Sequence, residues 1–167
     1  MYSQTRDPNF IIRLATIKDT ALILRFIREL ANYEKLLHEV VADEATLKES
    51  LFGDTPHAKV VIGEYNGVAA SFALYFHNFS TFLGRPGIYL EDLYVQHDMR
   101  GKGLGKILLG YLGSLALELK CGRLEWWVLD WNKPAVDFYQ SLGAKPMDEW
   151  TVNRVTGEAL DKLAQQL

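Results

Sequence analysis

The chain has 167 residues, of which 49% are apolar and 23% charged, and its formal net charge at pH 7 is −3. This length fits a single domain with a sizeable core. A mildly acidic chain is not expected to bind nucleic acid, because nucleic-acid-binding domains are usually basic. The longest uncharged apolar run, Ile107–Leu117, is shorter than the ~20 residues that span a bilayer, so no membrane partner is expected.

The first predicted elements are a tail, a strand and a helix. Residues 1–9 are polar and predict a loose N-terminal tail ahead of one domain over residues 10–167. Phe10–Leu14 is predicted to form a strand, and Thr16 or Asp19 to cap a helix that follows it. The apolar residues of this helix recur at helical spacing: Ala21, Leu24, Ile27, Leu30 and Ala31.

A second short helix and a β-hairpin follow. Asp43–Phe52 is predicted to be helical and to end at Gly53. Lys59–Tyr65 and Val68–Phe76 are predicted to form two strands of a hairpin, because Asn66-Gly67 between them is the preferred two-residue turn.

The second half of the chain continues the alternation of strands and helices. A strand is predicted at Ile88–Val95, an amphipathic helix at about 103–120 and a strand at Arg123–Leu129. Asn132 is expected to cap the next helix. A final strand or hairpin over about 145–154 and a short terminal helix complete a mixed α/β pattern.

The most informative segment is Arg100–Gly105, which lies between a predicted strand and a long helix. Its glycines allow a sharp turn and a close approach of the backbone to a ligand. The first helical turn presents unpaired N–H groups and the positive end of the helix dipole. Arg100 and Lys102 add positive charge. The segment therefore indicates a phosphate or pyrophosphate site, with an ordinary glycine-rich turn before a core helix as the alternative.

Three nucleotide-binding patterns compete for this segment. A Walker A loop is excluded, because only three residues separate Gly101 from Gly105 and Ile107 stands where a hydroxyl is required. The dinucleotide fingerprint G-x-G-x-x-G does not match the observed G-x-G-x-G spacing. The third pattern, Arg/Gln-x-x-Gly-x-Gly/Ala, is matched by Arg100, Gly103 and Gly105. It is the coenzyme A pyrophosphate loop of the GNAT acetyltransferases.

Further motifs in the same order extend this likeness over roughly residues 10 to 150. In order and spacing the chain resembles the GNAT superfamily, and in detail the family of diamine (spermidine/spermine) and thialysine acetyltransferases. The resemblance implies a central, mostly antiparallel twisted sheet flanked by helices. The motifs that carry it are Arg13–Ala15, Glu29–Glu34, Tyr89–Val95, Leu129–Tyr139 and Leu142–Ala144.

The resemblance implies acetyl-CoA as co-substrate and assigns its contacts. The main chain of Leu93 and Val95 would pair with the pantetheine arm as an added strand would. Asn132 and Tyr139 are the remaining coenzyme contacts. The pyrophosphate would be bound mostly by backbone N–H groups of Arg100, Gly101, Lys102, Gly103, Leu104, Gly105 and Lys106. No metal is expected, since the four histidines show no metal-ligand spacing.

Two adjacent acids, Glu91 and Asp92, interrupt an apolar strand, although burying a carboxylate is costly unless it is paired. Strand alternation sends the two to opposite faces, so only one can face the substrate unless the strand contains a bulge. The resemblance assigns Glu91 as the general base, acting through water, and Tyr139 as the acid that protonates the thiolate. A core tyrosine with its hydroxyl at the rim is the alternative for Tyr139. For Glu91, the alternative is a structural carboxylate that is paired within the sheet. Asp92 is expected either to have a structural role or to contact the substrate.

The acceptor side is the least determined part of the site. The resemblance places Tyr33 and Glu34 there, and Glu34 would hold the second ammonium group of a diamine. A solvated helix end is the alternative for both residues. In the polyamine-using branch an acidic residue is expected two positions before an aromatic residue. Here Ser80 precedes Phe82 instead. The serine at this position is closer to the pattern of the thialysine branch, and it favours an acceptor amine smaller than spermidine or spermine.

These motifs predict an N-acetyltransferase that moves an acetyl group directly, in a ternary complex, to a small primary amine. The acceptor class is a thialysine- or lysine-like amino acid or a short diamine or polyamine. A protein or peptide acetyltransferase and a catalytically silent acetyl-CoA-binding module remain as alternatives. A homodimer is expected from the resemblance. A cytoplasmic location is expected because Cys121 is the only cysteine and the first nine residues lack the apolar run of a signal peptide.

Overall fold

A six-stranded sheet is formed by the described residues, 2–167, of the computed structural model. The strands lie side by side in chain order. All neighbours pair antiparallel except the last two, which run parallel. The strands are β1 (Tyr2–Gln4), β2 (Phe10–Leu14), β3 (Lys59–Tyr65), β4 (Val68–Ser80), β5 (Arg85–Val95) and β6 (Leu124–Trp126). The mixed α/β class and the mostly antiparallel sheet are therefore confirmed.

The chain divides into two compact units, Met1–Trp127 and Val128–Leu167. The first unit contains the sheet and three helices: α1 (Thr20–Tyr33), α2 (Glu44–Phe52) and α3 (Leu104–Glu118). The second contains α4 (Lys133–Ser141) and α5 (Glu158–Ala164). None of the helices in the described part of the chain is long and apolar enough to cross a membrane.

The predicted starts of α1 and α2 are confirmed: Asp19 and Asp43 occupy the N-cap positions, although within the described residues the side chain of Asp19 does not cap α1 itself. A 3-10 turn, Ile17–Asp19, precedes α1, and the Asp19 carboxylate accepts hydrogen bonds from the backbone N–H of Thr16 (2.7 Å) and its hydroxyl (3.0 Å). At α2, Asp43 Oδ1 accepts from the backbone N–H of Thr46 at 2.7 Å. The two bonds from the backbone N–H groups of Thr16 and Thr46 each satisfy a backbone donor at the start of a helical turn.

The core between α1 and the sheet positions the region after β5. The ring centroid of Phe26 in α1 lies 5.7 Å from those of both Phe72 in β4 and Tyr94 in β5. Burying each ring contributes about 1.5–3 kcal/mol relative to exposure. Leu104 and Leu108 bury the first turns of α3. Both ends of the segment between β5 and α3 are thereby held by the core.

The β3–β4 hairpin turns at Asn66 and Gly67 as predicted. Their φ angles are +51° and +79°, which is the left-handed conformation that a type I′ turn requires at both central positions. The turn sets the register, in which Tyr65 lies opposite Val68.

The prediction of a loose tail over residues 1–9 is wrong for the residues that the structure describes. Tyr2–Gln4 pairs antiparallel with β2, opposite residues 11–13, while Met1 lies outside the described residues. The outer edge of β2 offers unpaired backbone groups, and a turn allows the polar segment to reach them. Thr5 Oγ1 stabilises this turn by donating to the backbone oxygen of Phe10 at 2.6 Å.

In the second unit the two predicted helices are confirmed, but the predicted strand over residues 145–154 is wrong. The described backbone there has no strand and instead turns, with the Trp150 N–H donating to Met147 O at 3.1 Å. A strand needs a neighbour to pair with, and Pro146 has no N–H to contribute.

The strand predicted at Arg123–Leu129 is shorter, Leu124–Trp126, and only these residues pair with β5.

Candidate active site

The glycine segment, Arg100–Lys106, joins a 3-10 turn after β5 to the start of α3. Gly101 and Gly103 have φ angles of +79° and +78°, which cost a residue with a side chain roughly 1–2 kcal/mol. Gly103 is the N-cap residue of α3, and within the described residues no side chain caps the helix there. The N–H groups of the first turn of α3 therefore remain available to an anion.

The space beside these glycines is open, which fits a pyrophosphate. A Cβ atom at Gly101 would meet no heavy atom of the described residues within 4 Å. At Gly105 the nearest atom would be Val95 Cγ2 at 3.8 Å, and at Gly103 it would be Arg6 Nη2 at 3.9 Å. This open space leaves room for a ligand close to the backbone of the segment.

Arg100 connects the glycine segment with the end of α1. Its guanidinium carbon lies 4.6 Å from the ring centroid of Tyr33 and 5.9 Å from that of Tyr94, in cation–π geometry. Its Nε donates to the backbone oxygen of Val95 at 3.1 Å. The predicted coenzyme residues Arg100 and Val95 and the predicted acceptor residue Tyr33 thus lie together.

The end of β5 has an open edge. β6 pairs with β5 only at Ile88–Leu90. In the described part of the chain, no strand pairs with Glu91–Val95 on the side away from β4. The backbone of this segment, which includes Leu93 and Val95, can therefore pair with an extended ligand arm.

Glu91 occupies a bulge in β5. Leu74 lies opposite Asp92 and Tyr75 lies opposite Leu90, so Glu91 is the extra residue without a partner in β4. A bulge re-aims side chains and interrupts strand alternation. Glu91 is exposed, whereas Asp92 is half-buried. The two carboxylates therefore differ in solvent access even though they are adjacent in sequence.

The pKa of Asp92 is raised from 3.8 to about 7. Burial is the main cause, since it disfavours the charged form, and the nearby negative charges of Glu91 and Glu34 add to it. Burial also raises the pKa of Glu34, the residue that ends α1. Glu34, Glu91 and Asp92 form an acidic cluster beside the open edge of β5.

Phe82 lies away from this cluster. It belongs to the turn between β4 and β5, where 90% of its surface is exposed. Glu91 lies six residues beyond Arg85, the first residue of β5, and at ~3.3 Å per residue this places the two ends of that segment roughly 20 Å apart. Within one chain, the structure does not bring Phe82 together with the other predicted acceptor residues.

Asn132 and Tyr139 lie in the second unit, at the start and near the end of α4. Asn132 occupies the N-cap position, and its backbone oxygen accepts from Ala135 N and Val136 N, both at 3.0 Å. The predicted N-cap position is therefore confirmed, although within the described residues Asn132 makes no capping hydrogen bond with its side chain. Tyr139 packs against Phe138, with ring centroids 5.4 Å apart. Its backbone oxygen accepts from Leu142 N and Ala144 N as the helix ends.

The acetyltransferase (GNAT) family matches residues 24–144 of the chain. The chain belongs to the GNAT acetyltransferase family.

Individual relatives cover nearly the whole GNAT chain. It is 41% identical to the thialysine N-epsilon-acetyltransferase of Bos taurus, across 92% of this chain and 96% of that one. It is 32% identical to the L-ornithine N5-acetyltransferase of Arabidopsis thaliana, across 91% of this chain and 86% of that one. Among solved structures, an integron cassette protein from V. cholerae superimposes with a TM-score of 0.79 at 27% identity, across 94% of this chain and 98% of that one. The predicted family and enzyme class, an N-acetyltransferase, are confirmed.

One residue near the GNAT glycine segment was missed by the sequence analysis. Arg6 lies beside Gly103, but its place in a polar N-terminal stretch gave no signal beyond its positive charge.

Residues 2–167 contain no group of three His, Cys, Asp or Glu side chains arranged to hold a metal ion.

Proposed function

We propose that this chain transfers the acetyl group of acetyl-CoA to the primary amine of a small molecule, by direct transfer in a ternary complex. The observation that carries this proposal is the acidic cluster Glu34, Glu91 and Asp92 at the open edge of β5. Tyr33, which precedes Glu34, contacts Arg100 of the glycine segment. The cluster suits a cationic acceptor, and the open edge and the glycine segment suit a coenzyme.

The acceptor amine must lose its proton before it can react, because an ordinary primary amine with a pKa near 10.4 is charged at neutral pH. A carboxylate whose pKa lies near the working pH is an effective base. We assign proton acceptance to the pair Glu91 and Asp92. Glu91 is the base by resemblance and faces solvent on the bulge, and the raised pKa of Asp92 supports holding the proton at its carboxylate near pH 7.

The coenzyme supplies the acetyl group as a thioester. The backbone of Leu93 and Val95 would hold its extended arm, and the N–H groups of the glycine segment its pyrophosphate. The resemblance assigns Asn132 as a further contact and the hydroxyl of Tyr139 as the group that gives a proton to the departing sulfur. Metal ions have no role in this assignment.

The acceptor we propose is a thialysine- or lysine-like amino acid, or a short diamine. Two of the relatives are named as thialysine and ornithine acetyltransferases, and both acceptors carry a second charged group near the reacting amine. Glu34, on the acidic cluster, would hold a second ammonium group, and Tyr33 would border it. Ser80 ahead of Phe82 supports a smaller amine than spermine.

The test is thiol release from acetyl-CoA with thialysine, lysine, ornithine, putrescine, spermidine and a lysine-containing peptide as acceptors. We expect the highest kcat/KM with one of the small amino acids or the short diamine. Preference for the peptide would replace this proposal with a protein acetyltransferase. Acetyl-CoA binding without turnover of any acceptor would replace it with a silent binding module.

We also propose that the enzyme acts in the cytoplasm as a homodimer. The single cysteine, Cys121, supports a reducing compartment, and the dimer is carried over from the family resemblance. Light scattering of the purified chain tests the dimer: a monomer mass across the working concentration range would contradict it.

A further inference from the structure

We propose that Arg6 is a phosphate-binding residue of the coenzyme site, where its guanidinium group binds a phosphate of coenzyme A. The inference rests on the proposed function, because it requires that the glycine segment receives the coenzyme. It adds a cation from the N-terminal segment, which lies outside residues 24–144 that match the family.

The position of Arg6 is the first argument. Its Nη2 atom lies 3.9 Å from the point that a Cβ atom on Gly103 would occupy. Gly103 is the residue that opens α3, where the N–H groups of the first turn and the helix dipole favour an anion. The guanidinium group is therefore within reach of a phosphate bound by this backbone.

The turn that carries Arg6 is held by several hydrogen bonds. Thr5 Oγ1 donates to Phe10 O at 2.6 Å and accepts from Asp7 N at 3.2 Å. Phe10 N donates to Asp7 O at 3.0 Å, and Asn66 N donates to Asn9 O at 2.8 Å. Because the backbone on both sides is ordered by these bonds, binding has to immobilise little more than the Arg6 side chain.

A second contact places the same region beside the glycine segment. Lys102 Nζ lies 5.5 Å from the ring centroid of Tyr65, and Tyr65 pairs with Phe10 across β3 and β2. The start of β2 and the end of β3 therefore both adjoin the segment. The placement of Arg6 does not depend on one side chain alone.

The charge of Arg6 is available to an anion. Within residues 2–167, no carboxylate forms an ion pair with Arg6, and its side chain is exposed. A guanidinium group has a planar set of donors that matches phosphate oxygens and can bind two of them at once. Coenzyme A offers phosphates both in its pyrophosphate and on its ribose.

The test is calorimetric titration of the full chain with coenzyme A, for the unmodified protein, Arg6→Gln and Arg6→Lys. Lys59→Gln is the matched control, since Lys59 is an exposed cation at the other end of β3 from Tyr65. We expect Arg6→Gln to raise the Kd on the order of tenfold, the usual effect of losing a hydrogen bond between charged groups. Arg6→Lys should recover part of the loss, and Lys59→Gln should leave the Kd unchanged.

Dephospho-coenzyme A, which lacks the ribose phosphate, identifies the phosphate. If Arg6→Gln weakens both ligands equally, Arg6 binds the pyrophosphate; if it weakens only coenzyme A, Arg6 binds the ribose phosphate. Either result supports the inference. An unchanged Kd for coenzyme A in a folded Arg6→Gln protein would overturn the inference about Arg6 and leave the proposed function standing. If the unmodified chain does not bind coenzyme A, both the inference and the proposed function are overturned.

Discussion

Glu91 and Asp92 show how strongly a single residue's surroundings decide its chemistry. The sequence presented two adjacent acids in an apolar strand, and the resemblance favoured the first as the base. In the structure, Glu91 lies exposed on a bulge, while Asp92 is half-buried with a pKa of about 7. The burial of Asp92 and the nearby negative charges of Glu91 and Glu34 cause this raised pKa. Strand alternation alone could show neither the burial nor the neighbouring charges.

Asp92→Asn is expected to move the acidic limb of the pH profile of kcat/KM, which should lie near pH 7, to lower pH. The reason is that the substitution removes the group that titrates there. A lower kcat, on the order of 10²-fold, should accompany the shift. Glu91→Gln is the comparison, and an acidic limb that moves with Glu91→Gln but not with Asp92→Asn would contradict the assignment to Asp92.

The same substitution should change stability in a pH-dependent way. The folded-state pKa of Asp92, about 7, exceeds its ordinary value of 3.8, so the folded state binds this proton more tightly than the unfolded state does. This group therefore destabilises the fold increasingly as pH rises from about 4 to about 7. We expect Asp92→Asn to melt at a higher temperature than the unmodified chain at pH 8, with a smaller difference at pH 5.

Tyr139→Phe is expected to lower kcat tenfold or more, with a much smaller effect on acetyl-CoA binding. The variant keeps the ring that packs against Phe138 and removes only the hydroxyl proposed as the acid, a role that contributes ~10²–10⁴-fold. Steady-state rates and calorimetric affinity measure the two effects separately. An unchanged kcat would remove Tyr139 from the mechanism.

Among the elements, the junction of β5 and α3 was the most predictable. The glycines before a helix predicted a sharp turn, and Gly101 and Gly103 both have the left-handed φ that such a turn uses. Helix starts and tight turns depend on residues near in sequence, which is why this junction was predictable. The hairpin at Asn66-Gly67 and the short helix that starts at Asp43 were predictable for the same reason. The open edge of β5 was predictable only through the resemblance, since it depends on where β6 ends.

Gly103→Val is expected to abolish coenzyme binding. Valine at a φ of +78° is strained, and its side chain would fill the space beside the first turn of α3. Gly110→Ala, further along the same helix with nothing within 4 Å of its new methyl group among the described residues, is the control. It should keep the affinity and gain about 0.5–1 kcal/mol of stability. Normal acetyl-CoA affinity in a folded Gly103→Val protein would refute the assignment of the segment.

On the scale of the whole molecule, an ion-pair network joins three elements of the first unit. Arg13 in β2 contacts Asp19 before α1 at 2.8 Å and Glu64 in β3 at 2.6 Å. These side chains are largely buried, and the hydrogen bond to Arg13 lowers the pKa of Asp19 below 3.8. A buried charge that loses its partner is costly, so the network helps to specify how α1 approaches the sheet.

Asp19→Asn is therefore expected to destabilise the chain by about 3 kcal/mol at pH 7. A lowered folded-state pKa gives stability that is present above the unfolded value of 3.8 and is lost as pH falls through the folded value. Urea unfolding at pH 7 and at successively lower pH should show the difference shrinking below about pH 3.8. Asp54→Asn, at an exposed loop position, is the control; a comparable loss there would contradict the specific role of Asp19.

The sequence by itself determined the family, the glycine segment and most of the elements before α4, because these depend on short-range patterns of glycines, caps and apolar spacing. It misassigned residues 2–4 as tail and residues 145–154 as strand, since pairing depends on which strand edge is exposed nearby. Only the tertiary structure decided that Asp92 is the less exposed of the two acids and that Arg6 lies beside Gly103. Burial and proximity arise from contacts between residues far apart in sequence, which no local pattern records.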